Sequence, residues 1–365
     1  MRIFHLVHNM NYGGLQEVVR ALALCQRRAG HSVSIGCWWT YKTNHPEVER
    51  ELELSGIPIL YFRRAPRVEL LIGKFRRIMD YVGYGKSDIL HIHNPFDYFF
   101  YGALAARAAG TTKVVNTMHA TAMFDVPERW RKAKFWGAAM LSSRVVSVCQ
   151  EVETVLRCGF VLPRNRLAVV ENGIDLAHFL AVPRRSPRTG VVFGTVGRMS
   201  AEKNQRLLIE AFGILRRKYS NIRLRLAGGG ELEPVLKVFA HGLGLGESVE
   251  FCGFCNDVPR FMNELDVFVL PSNSEGMPLT LLEAVASGLP VVATAVGGVA
   301  RIVEKTRSGW LSAPKDAAGL ASAMESALLC DRVEKGEFAR SLVSRHYSVE
   351  RMAEDYERLY RTVLS

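Results

Sequence analysis

Apolar residues in the first half of the chain come in short runs separated by longer segments with helical spacing. "RIFHLVH" has the length of a strand and is followed by a glycine turn at "NYGG" and a helix predicted from Leu15 to about Arg28. "SVSIGCWW", "DILHIH" and "KVVNTMH" are further strands, and "VELLIGKFRRIMDYV" and "DYFFYGALAARAAG" have the spacing of helices. The second half repeats the alternation. "GVVFGTVG", "IRLRLAG", "VEFCG", "VFVLPS" and "PVVAT" are strands, each followed by a helical pattern. "SVERMAEDYERLYRTVLS" closes the chain as a helix, with Ser348 as its cap and Glu350 in its first turn.

Alternating β and α elements of these lengths imply parallel sheets covered on both faces. A chain of 365 residues exceeds one hydrophobic core. The expected fold class is therefore α/β, with two parallel-sheet domains facing each other across a cleft. A stretch rich in proline and arginine, "AVPRRSPRTG", divides them. The domains expected are 1–180, 181–345 and a final helical segment, 346–365.

Composition narrows the classes. The apolar stretch 279–300 is interrupted by Glu283, Pro290 and glycines, which suits a buried helix, turn and strand better than a membrane span. "MRIFHLVHN" is too short an apolar run for a secretion signal, so a cytoplasmic protein is expected. Cys252 and Cys255 form one C-x-x-C without a second pair at zinc spacing, and read as a strand end and a loop. The net charge of +11 is uneven. Residues 1–180 hold 23 Lys/Arg against 15 Asp/Glu, and residues 181–365 hold 24 against 21. The first half thus has more reason to meet an anionic partner. Its basic residues are dispersed and form no recognised nucleic-acid module, so nucleic acid is not an expected partner.

In parallel sheets, ligands bind beyond the carboxyl ends of the strands. Those ends carry Asn9, Gly13, Gly14, His91, His93 and His119 in the first half. In the second they carry Arg198, Lys203, Gly228 to Gly230, Cys255, Asn256, Ser274, Glu275, Gly297 and Gly298. This set is polar, cationic and glycine-rich, and suits a phosphate-bearing ligand. "SEGMPLTLLEAVASGLPVVAT" adds a carboxylate at Glu275, ahead of a helix whose first position suits Pro278, and a second at Glu283 on that helix. The amides of Met277, Leu279 and Thr280 can donate to an anion at the helix start. "GRMSAEKN" supplies Arg198 and Lys203, whose cations can grip one diphosphate.

The glutamate pair within that segment resembles the signature of retaining glycosyltransferases of the GT-B fold, of the large family four (glycosyl transferases group 1) type. "NYGGLQEVV", "DILHIH", "TMH", "VENGID", "VGRMSAEKN", "AGGGELEPVL" and "VGGVARIV" extend the resemblance over nearly the whole chain. It implies two Rossmann-like domains and a C-terminal helix crossing back to the first. It implies that Arg198 and Lys203 neutralise the diphosphate, Glu275 holds hydroxyls of the donor sugar, Glu283 binds the ribose, and His119 contacts the donor sugar. Gly13, Gly14 and Gly230 would admit the donor phosphates, and Cys255, Asn256 and Val258 would cradle the base. Asn9, His93 and Asn94 would line the acceptor side. His119 is followed by Ala120, where many relatives carry an acid. The implied partners are a nucleotide-sugar donor, UDP- or GDP-linked, and a glycan or lipid-linked acceptor in cell-envelope or exopolysaccharide synthesis. No cofactor and no metal are implied, although His91, His93 and His119 have the makings of a three-histidine site. Same-face attack assisted by the leaving phosphate is the implied mechanism, with Glu275 as a covalent nucleophile the alternative.

Two alternatives stay open. One is a nucleotide-sugar epimerase on the same fold, and another is a transferase acting on a small soluble acceptor. A dinucleotide oxidoreductase would need G-x-G-x-x-G after a strand, which neither "NYGGLQ" nor "GGGELE" supplies. Two basic helices with aromatics, around Lys74, Arg76 and Arg77 and around Arg129, Arg131, Lys132 and Lys134, also fit peripheral contact with an anionic membrane at its inner face. In the first, Phe75 and Ile78 supply apolar bulk; in the second, Trp130, Phe135 and Trp136 do.

Overall fold

Every strand pair among the described residues is parallel, as runs of Val, Ile and Leu buried on both faces predict. The computed structural model describes residues 1–11, 13–38, 46–61, 75, 76, 78–80, 82, 87–93, 96–110, 113–119, 129–160, 162–180 and 190–365. The chain forms two compact units, one of residues 1–173 with 349–365 and one of residues 174–348.

The first unit is built on β1 (Arg2–Val7), β2 (Ser32–Cys37), β3 (Ile59–Tyr61), β4 (Ile89–His93), β5 (Lys113–Met118), β6 (Arg144–Ser147) and β7 (Leu167–Val169). Their order in the sheet is β3-β2-β1-β4-β5-β6-β7. The sequence runs outward in both directions from β1 and β4, so the connections leave to opposite faces there and open a crevice at the strand ends. One face of the sheet carries a core of Phe4, Leu6, Leu90, Ile92, Phe99 and Phe135. The other carries Val7, Val19, Val33, Ile35 and Leu52.

The helix Val349–Leu364 belongs to this unit although it ends the chain. Val349, Met352, Tyr356, Tyr360 and Val363 recur at three- and four-residue intervals and are buried. The Met352 sulfur meets the Gly173 amide at 3.3 Å.

The second unit is built on β8 (Val191–Val196), β9 (Ile222–Ala227), β10 (Val249–Gly253), β11 (Val267–Leu270), β12 (Val291–Thr294) and β13 (Gly309–Ser312), in the order β10-β9-β8-β11-β12-β13. Its switch point lies between β8 and β11. The loops leaving Val196 and Leu270 are therefore neighbours. Phe193, Leu208, Phe212, Leu224, Val267 and Met324 fill its core.

Several sequence expectations are adjusted. Pro278 is not the first helical residue. Its extended backbone, φ −71° and ψ 122°, makes it the residue before the helix Leu279–Ala286. Ile78 and Phe135 do not face solvent beside the basic residues, because both are buried in the first unit's core, with Phe75 packed against it. Arg76 and Trp136 are exposed. Lys74, Arg77, Asn94, Ala120 and the segment 181–189 lie outside the described residues, as do the side chains of residues 129–132 and 134. No helix among the described residues is long and apolar enough to cross a membrane.

Candidate functional site

The loop after β8 and the loop after β11 are tied together at the second unit's switch point. Asn204 adopts a left-handed backbone, φ 46°, and caps the helix Gln205–Arg216 by accepting from the Leu207 amide. Its side-chain amide donates to the Asn273 side-chain oxygen at 3.0 Å. Asn273 in turn donates its backbone N–H to the Glu202 carbonyl at 2.7 Å and its side-chain amide to the Ala201 carbonyl at 2.8 Å. This lattice fixes Lys203 against Glu275. The Lys203 ammonium donates to Glu275 Oε1 at 2.6 Å, and the Ser272 hydroxyl donates to the same oxygen at 2.6 Å.

Glu275 is 8% exposed. A carboxylate so nearly removed from water requires a partner, and Lys203 and Ser272 supply one charge and one donor. Arg198, in contrast, is a reaching side chain, 71% exposed and 3.4 Å from Glu202. Sequence reasoning paired Lys203 with Arg198 as joint anchors for a diphosphate. The structure pairs Lys203 with Glu275 and leaves Arg198 at the surface of the same loop.

Glycines permit this close packing of backbones. A side chain at Gly228 would put its first carbon 2.1 Å from the Gly197 carbonyl oxygen, and one at Gly230 would come within 2.4 Å of the Met199 carbonyl oxygen. Gly297, at φ 51°, would meet the Glu275 carbonyl oxygen at 1.9 Å. Gly298 donates its N–H to the Gly276 carbonyl at 2.8 Å. Gly230 thus brings its loop against the Arg198–Met199 backbone.

The helix Leu279–Ala286 begins four residues after Glu275. Met277 and Leu279 are buried and Thr280 is half-buried, so what this end can present is its backbone donors. Glu283 lies one turn on and is 9% exposed. It is close enough to the loop after β10 to act on Cys255, whose thiol is pushed up by burial and further by the nearby carboxylates of Asp257, Glu264 and Glu283. In that loop Asn256 and Phe254 are exposed, and Val258 opens a short helix capped by Asp257. Glu275 and Glu283 thus stand on either side of the helix start along the chain, and Glu283 also acts on Cys255 in the loop after β10.

The first unit carries its own group of candidate residues. Gly13 and Gly14 are exposed at the start of the helix Gly14–Arg28. Asn9 folds the loop ahead of it, its side-chain oxygen accepting from the Asn11 amide at 3.1 Å and from Gln16 at 3.2 Å. His119 follows β5 and is half-buried. Its Nε2 lies 3.2 Å from Nδ1 of His93, and Nε2 of His93 lies 2.9 Å from Nδ1 of His5.

His93 does not line a cleft, as the sequence reading expected: it is fully buried, as are His5 and His91. The parallel register explains the cluster, since His5 pairs with His91 and His93 with Thr117. Burial lowers His5 to about 4 and His119 to about 3. His91 and His93 are held well below the usual histidine range by burial and by their neighbouring rings. Sequence reasoning missed His5, Gln26, Ser272, Tyr356 and Tyr360. For His5 the signal was a polar residue inside the apolar run "RIFHLV".

Comparison with known proteins agrees with both halves. The family model described as Glycosyltransferase Family 4 matches residues 12–178, and that described as Glycosyl transferases group 1 matches residues 182–345. The chain is 30% identical over 242 residues to an Escherichia coli UDP-Gal:alpha-D-GlcNAc-diphosphoundecaprenol alpha-1,3-galactosyltransferase, covering 62% of each chain. It is 30% identical over 217 residues to an amylovoran biosynthesis glycosyltransferase of Erwinia amylovora, covering 54% of this chain and 52% of that one. The matches span 41% to 62% of the length of the first curated relatives. Among solved structures, Anabaena HepE in complex with UDP-glucose superposes with a TM-score of 0.82 at 21% identity, over 99% of this chain and all of the other. Two parallel-sheet Rossmann-like units, a glutamate pair at a switch point and two family models that together span nearly the whole sequence place this chain in the group 1, family-four type of GT-B glycosyltransferases.

Proposed function

We propose that the protein transfers a sugar from a nucleoside-diphosphate sugar to a glycan or lipid-linked acceptor in polysaccharide or cell-envelope synthesis, with retention at the anomeric carbon. The observation that carries this is the buried Glu275 carboxylate, held by Lys203 and Ser272 at the second unit's switch point. Beside it a helix begins, and Glu283 lies one turn further along that helix. The spacing suits sugar hydroxyls at Glu275, a diphosphate at the helix start and a ribose at Glu283. A UDP-linked hexose is the favoured donor, since relatives are named for UDP-galactose or were solved with UDP-glucose.

Departure of a nucleoside diphosphate builds negative charge on its phosphate oxygens, and preorganised donors are worth most where that charge develops. The exposed Arg198 guanidinium would meet that charge, together with the amides at the start of the Leu279–Ala286 helix. Lys203 has a double task, fixing Glu275 and adding positive charge to the loop. A cation and a hydroxyl on Oε1 of Glu275 draw charge from the carboxylate and lower its nucleophilicity. Same-face attack, with the leaving phosphate receiving the acceptor's proton, needs no further base. His119 would meet the donor sugar. Asn9, Gly13 and Gly14 would serve the donor phosphates or the acceptor.

The test is turnover of UDP-hexoses by wild type and Glu275→Gln with lipid-diphosphate and soluble sugar acceptors. Transfer that depends on Glu275 supports the reading. Epimerised donor without any acceptor, or a trapped glycosyl–Glu275 adduct, would replace it.

A further inference from the structure

Gln26 joins two buried chains of hydrogen bonds. Its side-chain oxygen lies 2.7 Å from Nε2 of His5, and its side-chain nitrogen donates to the Tyr360 hydroxyl at 3.4 Å. A carboxamide oxygen only accepts, so His5 carries its proton on Nε2. A neutral imidazole has one N–H and one lone pair, so Nδ1 of His5 accepts. Burial keeps these rings neutral near pH 7.

Each ring then dictates the next. Nδ1 of His5 is 2.9 Å from Nε2 of His93, so His93 donates there and its Nδ1 accepts. That atom is 3.2 Å from Nε2 of His119, so His119 donates from Nε2 and carries its lone pair on Nδ1. The second chain is consistent with the first. The Tyr360 hydroxyl accepts from Gln26 and donates to Nδ1 of His91 at 2.6 Å. His91 then donates from Nε2 to the Thr117 hydroxyl at 2.7 Å. No ring is asked to donate twice. Turning the Gln26 amide over would reverse both chains and move the His119 proton to Nδ1.

We propose that Gln26, His5 and His93 are positioning residues that hold His119 in its Nε2–H form, so that a sugar hydroxyl contacting Nδ1 of His119 does so as a donor. The role of the sugar rests on the function proposed above; the tautomer does not. Ligand nitrogens of His5, His91 and His93 also lie within 4.8 Å of one another, as a metal site would require. All six of their ring nitrogens already have hydrogen-bond partners, which a cation would have to displace.

The experiment is long-range proton–nitrogen correlation of the histidine rings in the full, nitrogen-15-labelled chain with EDTA present. His119 is assigned by its loss in His119→Asn. Nε2–H patterns at His5, His93 and His119 are expected. An Nδ1–H pattern at His119 in the wild type overturns the proposal, whether or not any variant folds. So would a change in the His5, His91 and His93 signals on replacing EDTA with zinc.

In His93→Leu the Nδ1 acceptor that His93 offers is gone, and the Nε2–H pattern of His119 is expected to weaken. His93→Asn offers an oxygen near the lost Nδ1 and should restore Nε2–H. In turnover, His93→Leu should lower kcat about ten-fold, the worth of one hydrogen bond. Donor KM should stay nearly constant, and Asn should recover most of the loss. An unchanged His119 pattern and unchanged kcat in the leucine variant would also overturn it. Tautomers that follow the expected pattern in a protein that transfers no sugar would uphold the positioning chain and dismiss the transferase reading.

Discussion

Lys203 and Ser272 both donate to Glu275, and its replacement separates chemistry from folding. Glu275→Gln keeps the shape but removes the charge opposite Lys203. A charged hydrogen bond lost from the transition state is worth about 1.5–3 kcal/mol, so turnover should fall by roughly one to two orders of magnitude. Because Lys203 is partly solvated, at 27% exposure, its loss of a partner should cost little stability. Lys203→Met is the harsher change, since it strands a buried carboxylate. Urea unfolding of both single variants and the double variant should reveal a coupling of about 0.5–3 kcal/mol, and strict additivity would refute the pair. Both partners were legible in the sequence as chemistry, in "SEGMP" and "AEKN", but their contact was not. It depends on β8 and β11 being neighbours, which lies in the sheet order rather than in either segment. Gln26 and His5 were less legible still, because a lone polar residue in an apolar run takes on meaning only once parallel register sets it beside His91.

At the scale of elements, many of the alternating strands and helices were readable, although β6, β13 and the helices Gln150–Phe160, Ala317–Leu329 and Arg332–His346 went unread. β3 and β7, of three residues each, were not readable either, because too few positions remain for alternation. The ends of β1, β4 and β5 make a testable acid-sensitive unit. His5, His91, His93 and His119 face one another there with Gln26, Thr117, Tyr356 and Tyr360. Burial lowers His5 to about 4 and His119 to about 3, whereas an unfolded histidine titrates at roughly 6.5. Above that pH neither state binds the proton and the folded state keeps its full stability. As pH falls below it, the unfolded chain takes up protons that the folded rings refuse. Stability should then decline by about 1.4 kcal/mol per pH unit for each such ring, until the folded values are reached. Urea midpoints at pH 8 and pH 5 check this, and equal midpoints would contradict it. In the second unit, Gly297→Ala would drive a carbon into the Glu275 carbonyl at a positive φ. A loss of roughly 1–3 kcal/mol, with activity falling alongside, is expected in thermal melts.

For the whole molecule, the prediction of two parallel-sheet units followed from length and from the repeated alternation, while the return of the last helix to the first unit came only from the family resemblance. The proposed retention makes a stereochemical prediction: an α-linked nucleotide sugar should give an α-linked product by proton NMR, and a β-linked product would place the protein in another mechanistic class. Membrane contact is a separate matter, favoured by the basic first half. Sedimentation with anionic liposomes at low salt and release at high salt are expected, because exposed charges are screened. No sedimentation at low salt would favour a soluble acceptor. The claim on which the rest depends is that the second unit's switch point grips a diphosphate. Calorimetric titration of wild type, Arg198→Ala and Lys203→Ala with UDP, GDP and the bare nucleosides tests it without knowledge of the acceptor. One nucleoside diphosphate should bind the wild type well, and both variants should bind it more weakly while binding of its nucleoside hardly changes. Equal losses for nucleoside and diphosphate, or no binding of either diphosphate by the wild type, would contradict it.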